Sequence, residues 1–419
     1  MWKPSSVVAL VVVLGGSSLP AASKEASVRE IPVLTKTQWF EDVRYLAREL
    51  PKRHKNAFHT VTREQFGRSV AELEAAVPSL SDHQIIVRMM QIAASVGDGH
   101  TGVHLPRSFR LYPLGLYWFG PELRVTAAAK EYGRAIGTRV VGIGGVGIDE
   151  VQARISSCFP TAENENPWYV MNSSTAFITR HEVLHALGVV SDSQHAAFMF
   201  QDERGEQFTL DLAPVAPDPN IGARLIRAAT AEPLTRQRLG ERFWFTYLPD
   251  SRTVYVSFRG YDELGDNARK LLQFIAANPA QRLVIDMRQN DGGDFLKGRK
   301  HLIRPVKELG DLNQKGRLFV IIGRRTFSAA MVNAIDFRKE TNALLVGEPA
   351  GERPNSYSEN DEMTLPNSRL VVSYSTEYYK FLDEDEPAVT PDKRIDPNWE
   401  DYKAGRDPVM EWILAGSPD

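Results

Sequence analysis

The sequence predicts a mixed α/β, multidomain fold on three observations. Residues 35–92 space their apolar side chains at helical period, and residues from about 112 to 215 break into short strands and turns. From about residue 243, apolar strand-like runs alternate with helical stretches, the pattern of a parallel, layered core. A chain of 419 residues, 42% hydrophobic and 25% charged, has room for two or three such domains, each with its own core. The net charge of -3 supplies no basic footprint, so no nucleic-acid partner is expected.

Met1 to Ser23 reads as a secretory signal. Lys3 gives a positive start, Val7 to Leu14 a short apolar core, and Ala21-Ala22-Ser23 the small residues of a cleavage site. The competing reading is an uncleaved anchor or a buried strand. No later run is apolar and long enough for a membrane helix, so no integral span is expected once the signal is removed. The expected location is outside the cell or in the periplasm.

In the segment TQWFEDVRYLARELPKRH, Trp39, Phe40, Val43, Leu46, Ala47 and Leu50 share one helical face. A second helix opens on the Thr-x-x-Gln capping box of TREQ, and a third at Ser81 or Asp82. The stretch 137–155 reads as strand, Gly-rich turn and helix. A hairpin is expected around Glu203-Arg204-Gly205, and residues 214–223 have linker composition. Farther on, RTVYVSF, RLVIDM, GRLFVII and NALLVGE are strands, with helices in DNARKLLQFIAAN and AAMVNAIDFRK.

Several residues could carry chemistry. Ser328 lies where a buried strand turns into a helix, which exposes a side chain at the strand's C-terminal edge and offers the Ala329 N–H to an oxyanion. Its bland alternative is a helix cap at Thr326 or Ser328. Gly292 and Gly293 follow a strand and allow close backbone approach, or only a tight turn; Asp286 and Arg288 read as a structural pair. His100, in a Gly-flanked turn near Asp98, is a better general-base candidate than a histidine in a helix stripe. The HExxH pattern of His181, Glu182 and His185 suggests zinc peptidase chemistry, with Glu203 or Glu206 as a third ligand. Those glutamates sit in the expected hairpin rather than on a following helix. Cys158, the only cysteine, excludes an intramolecular disulfide and reads as a structural thiol.

Taken in order, DGHT (98–101), LVIDMRQNDGG (283–293), RRTFSAA (324–330), LVGEPAGERPNSYSE (345–359) and LPNS (365–368) resemble the tail-specific, or C-terminal-processing, serine peptidases, including their tricorn-like branch. The resemblance spans about Thr35 to the C-terminus and is strongest from 252 to 395. It implies a ClpP/crotonase-like β/β/α spiral core at 220–416, an N-terminal helical domain at 30–108 carrying the DGHT turn, and a PDZ-like or small β-rich insert at 109–215. It implies Ser328 as nucleophile, with an oxyanion hole from Ala329 and a glycine of the pair Gly292 and Gly293. Many members use a Lys base in the Gly-rich stretch after the next strand. Here that stretch reads Gly351-Glu352-Arg353-Pro354, and Arg353 cannot deprotonate. Lys339 lies eleven residues along the helix from Ser328, about 16 Å at 1.5 Å per residue. Tricorn-like members use a His from the segment before the insert, the place His100 occupies. The supporting carboxylate is Glu359 or Asp385.

The expectation is therefore a secreted serine peptidase acting on peptides or unfolded protein C-terminal segments, with no metal or organic cofactor required. Its activity should fall as pH drops through about 6.5, the ordinary imidazole range. The alternatives are a non-catalytic peptide-binding protein of the same fold, and the zinc peptidase through His181, Glu182 and His185.

Overall fold

The structure, a computed structural model, describes residues 31–160, 166–192 and 194–416; the signal-like segment lies outside them. The described residues before 229, together with Ser356–Tyr379, form a first compact unit. Ala229–Asn355 and the residues from Lys380 onward form a second.

The first unit opens with helices Lys36–Arg53, Arg63–Ala76 and Asp82–Ala94. All three start on a capping box: Thr35 with Gln38, Thr62 with Gln65, and Ser81 with Gln84. A cap contributes about 1 kcal/mol. Each fully buried Val, Leu or Ile contributes about 1.5–3 kcal/mol, so packing outweighs capping here. Trp39, Val43, Leu46 and Leu50 are buried as their spacing predicts, while Phe40 and Ala47 lie at the edge of that face. The Trp39 indole N–H reaches the Asp82 carboxylate at 2.9 Å, tying the first helix to the third.

Beyond the helices the unit builds an antiparallel sheet through Leu114–Phe119, Glu122–Ala128, Arg139–Ile143, Ala196–Gln201 and Gln207–Leu212. The last two form the expected hairpin, turned by Asp202, whose carboxylate accepts the Arg204 and Glu206 N–H groups at 2.9 Å each. One hydrophobic core runs from Trp39 through Phe198 and Leu212. The helical segment and the β-rich segment, read from sequence as separate domains, are thus packed as one body. In the expected linker, Val215 pairs with Leu111.

The same core takes in Met363, Leu365, Leu370, Val372 and Tyr374. These belong to a long hairpin of strands Asn355–Thr364 and Val371–Lys380, whose second strand pairs with Gly102–Val103. The LPNS motif anchors it: Asp42, buried in the first helix, accepts the Asn367 and Ser368 N–H groups at 2.9 and 2.8 Å. Residues 356–379, which the sequence reading places within a core at 220–416, find their pairing and burial in the first unit.

The second unit is a six-stranded sheet in the order Lys393–Arg394, Leu344–Gly347, Leu318–Ile322, Arg282–Asp286, Thr253–Phe258, Phe243–Leu248. All neighbours are parallel except the last pair. Val254, Val256, Leu283, Ile285, Leu318 and Val320 face helices Leu264–Ala276 and Ala329–Glu340. The alternating residues Tyr255, Val284, Phe319, Ile321 and Val346 face Val409, Met410 and Ile413 of helix Pro408–Leu414. Both faces are covered, which is why these strands read as unbroken apolar runs. Arg288 locks one end of the sheet, forked onto Asp286 and Asp407 with closest approaches of 2.7 Å to each.

Candidate active site

The nucleophile candidate belongs to the second unit. After strand Leu318–Ile322 the chain turns through residues 323–327, and Ser328 stands immediately before helix Ala329–Glu340. Ser328 holds φ 53° and ψ -127°, a left-handed region costly for a residue with a Cβ. It occupies the N-cap position but makes no capping hydrogen bond with its side chain. Thr326 does the turn-holding instead: its hydroxyl donates to the Met287 carbonyl at 2.9 Å and accepts the Gly323 N–H at 3.0 Å. A first helical turn has N–H groups with no partner inside the helix, and Ala329 supplies one of them here.

The Gly turn lies directly against Ser328. A Cβ on Gly292 would come within 2.7 Å of the Ser328 Cβ, and one on Gly293 within 2.5 Å of the Tyr261 ring. Asn290, fully buried, couples the two turns. Its carbonyl accepts the Phe327 N–H at 3.1 Å, its side-chain oxygen accepts the Gly292 N–H at 3.1 Å, and its amide donates to the Phe258 carbonyl. Because the Gly292 N–H is given to Asn290, Gly293 is the candidate oxyanion donor of the glycine pair.

The GEPAGERP segment closes over the same turn. The Gly351 N–H donates to the Thr326 carbonyl at 3.0 Å, and buried Arg324 pairs with buried Glu348 at its start. Buried Glu352 accepts the Ser328 backbone N–H on its carboxylate. Arg353 pairs with Asp385 at 3.1 Å, and the Asp385 side chain is 67% exposed. Lys339 donates to the Phe381 carbonyl at 2.7 Å.

The base candidate belongs to the first unit. His100 is fully buried, and burial pushes its imidazole down to about 4, against the opposing pull of the Asp98 charge. Its Nε2 lies 3.4 Å from the Ser358 hydroxyl. Asp98 serves mainly another histidine. The Asn56 N–H donates to His54 Nδ1 at 2.9 Å, so in the neutral ring Nε2 carries the proton and donates to Asp98 at 2.8 Å. The other Asp98 oxygen accepts the Ser375 hydroxyl at 2.6 Å and the His100 backbone N–H at 3.2 Å. Burial alone would raise the Asp98 carboxyl, but the His54 and Ser375 hydrogen bonds bring it below its ordinary value. Asp98 therefore fixes the turn that presents His100. Glu359, next to Ser358, places its carboxylate on the Tyr379 hydroxyl at 3.2 Å.

In the HExxH segment, His181 Nδ1 pairs with the Tyr112 hydroxyl at 2.7 Å and Glu182 with Arg110 at 2.8 Å. His185 Nδ1 pairs with His83 Nε2 at 2.8 Å, and Glu203 and Glu206 are exposed in the hairpin turn. Among the described residues no group of three or more His, Cys, Asp or Glu is arranged to hold a metal. Cys158 is buried, which pushes its thiol up to about 12 and away from nucleophilic use.

The sequence reading missed Asn290, Thr326 as a lock, Glu352, Ser358 and the His54–Asp98–Ser375 cluster. Only Asn290 carried a local signal, as a turn-forming residue inside QNDGGD.

No family model matches the sequence, and no curated protein matches it. Among solved structures, mature CPAF in complex with lactacystin aligns with TM-score 0.57 at 10% identity, covering 90% of this chain and 97% of that one. Mature CPAF aligns with TM-score 0.57 at 11% identity, covering 90% and 96%. The chain thus shares the mixed α/β fold of mature CPAF. The photosystem II D1 C-terminal processing protease aligns more loosely, with TM-score 0.41 at 14% identity over 90% of this chain and 99% of that one.

Proposed function

We propose that the chain is an exported serine peptidase that cleaves peptides or protein C-terminal segments, with Ser328 as nucleophile and His100 as general base. The observation that carries the reading is the Ser328 backbone at φ 53° and ψ -127°, on a strand-to-helix turn with Gly292 packed against it. Strain of this kind concentrates at reacting positions, and this turn puts a hydroxyl beside the Ala329 N–H at the start of the helix. His100, kept neutral by burial, is in the state a base requires. In the reaction, His100 takes the Ser328 proton as its oxygen attacks the scissile carbonyl. The Ala329 and Gly293 N–H groups hold the oxyanion, and His100 returns the proton to the leaving amine. Water then repeats the sequence on the acyl-enzyme.

Export rests on the Met1 to Ser23 signal pattern, and a periplasmic or extracellular location follows from it. None of the described helices is long and apolar enough to cross a membrane. A fluorophosphonate probe tests the chemistry. The expected result is one modification, mapped to Ser328 and lost in Ser328→Ala with thermal stability unchanged. Peptide cleavage by Ser328→Ala at the wild-type rate would overturn the reading.

A further inference from the structure

We infer that Glu352 is a positioning residue of the nucleophile, its buried carboxylate holding the Ser328 backbone N–H and through it the strained turn. The inference rests on the reading of Ser328 as nucleophile. Three observations carry it. Ser328 stands at φ 53°, where an L-residue stays only if its surroundings impose the conformation. Its N–H is donated to Glu352, which is 2% exposed; a charge-assisted hydrogen bond in so dry a setting is stronger than a neutral one. Finally, Glu352 is itself fixed by the loop around it, since the Ala350 and Gly351 N–H groups donate at 3.0 Å to the Val389 and Thr326 carbonyls.

The turn is thus gripped from two sides. Asn290 holds the Phe327 N–H through its carbonyl, and Glu352 holds the next N–H along the chain. With both in place, the Ser328 N–H is committed, the Ser328 side chain cannot follow the helix as an ordinary cap, and the Ala329 N–H is left to the oxyanion. The contact of Glu352 with Ser328 is to the backbone N–H, so the contribution assigned to it is to the geometry of the turn. The place of Glu352 in the loop that closes over the Ser328 turn makes that loop a clamp.

The test uses the full-length protein and the fluorophosphonate probe, with peptide turnover as a second readout. Glu352→Ala should slow probe labelling at Ser328 and kcat by about ten- to a hundredfold, the span expected for losing one hydrogen bond to a charged group. KM should stay within about twofold. Added formate should restore part of the labelling rate of Glu352→Ala, and not accelerate wild type, because a small carboxylate can refill the vacated site. A residue that merely stabilised the fold would lower the melting temperature without slowing the folded enzyme and without formate rescue. If Glu352→Ala does not fold, Glu352→Gln, of the same shape with a neutral acceptor, is read in the same way and should slow labelling by about threefold or more. Wild-type labelling rates in the folded variant would overturn the assignment. Persistent labelling of Ser328→Ala would instead overturn the nucleophile reading on which it stands.

Discussion

The two units hold their candidate residues by different means. Around Ser328 the constraints are backbone ones: a positive φ, a glycine with no room for a Cβ, and N–H groups donated to Asn290 and Glu352. Around His100 they are side-chain ones: a buried carboxylate shared by His54, Ser375 and the His100 N–H. A hydroxyl nucleophile must be aimed, and aim comes from steric fixing. A base must be kept in one protonation state, and that comes from burial and charge. Substitutions should therefore act through geometry in the second unit and through unsatisfied polarity in the first.

The largest effect is expected at Asp98. Asp98→Ala strands the His54 Nε2–H, the Ser375 hydroxyl and the His100 N–H, three donors in a buried site. The expected loss is about 3–5 kcal/mol of stability, seen as an early transition in chemical denaturation. Asp98→Asn should recover part of it. A variant as stable as wild type would show that water serves these donors and that the site is not dry.

Next comes Gly292→Ala. The new methyl must displace the Ser328 Cβ, only 2.7 Å away, at a backbone φ of 110°. A stability loss of about 1–3 kcal/mol is expected. Turnover and probe labelling should fall by about a hundredfold, since a displacement near 1 Å suffices for that. Labelling at the wild-type rate would mean the turn yields freely and the backbone account is wrong.

The third expectation concerns pH. Burial holds both His100 and His181 down to about 4, for His181 with help from the Arg110 charge. Their unfolded counterparts titrate near 6.5. Between those values the unfolded chain binds more protons than the folded one, so stability falls as pH drops from about 6.5 to about 4. The slope is about 1.4 kcal/mol per pH unit for each proton. Activity should hold through pH 6.5, because His100 is still neutral there, and fall only toward 4. This moves the acid limb from where an exposed imidazole would put it. A limb at 6.5 in kcat/KM of protein that is still folded would mean that His100 is solvated in the working enzyme.

The same contrast explains what the sequence made legible. The strands of the second unit showed as apolar runs because helices cover both faces, and the turn at Ser328 showed as a break between a strand run and a helix run. Backbone geometry leaves local traces of this kind. The polar cluster does not: His54 and Asp98 are 44 residues apart and Ser375 is 277 from Asp98, distances over which no periodicity speaks. The packing of the 356–379 hairpin in the first unit left no local trace for a related reason. Its partner strand, Gly102–Val103, is two residues long, and Asp42, which anchors its turn, lies in the first helix. Glu352 was visible only as part of the Gly351-Glu352-Arg353-Pro354 stretch, because nothing local says that a glutamate will fold back on an N–H 24 residues earlier.

The smallest effect is expected at the HExxH segment, and it separates the serine reading from the metal one. A zinc peptidase would need His181 and His185 open toward a common point, a third ligand, and Glu182 free to act on water. Each is engaged otherwise: His181 Nδ1 with Tyr112, Glu182 with Arg110, and His185 Nδ1 with His83. The helix that carries them is only six residues long, and the hairpin glutamates are exposed at its far turn. His185→Ala removes one hydrogen bond between two half-buried rings, so the expected cost is about 1 kcal/mol of stability. Turnover should stay within about twofold of wild type, and a strong chelator should leave it unchanged. Loss of activity on chelation, restored by zinc and abolished by His185→Ala, would instead place the chemistry in the first unit and leave the Ser328 turn as scaffolding.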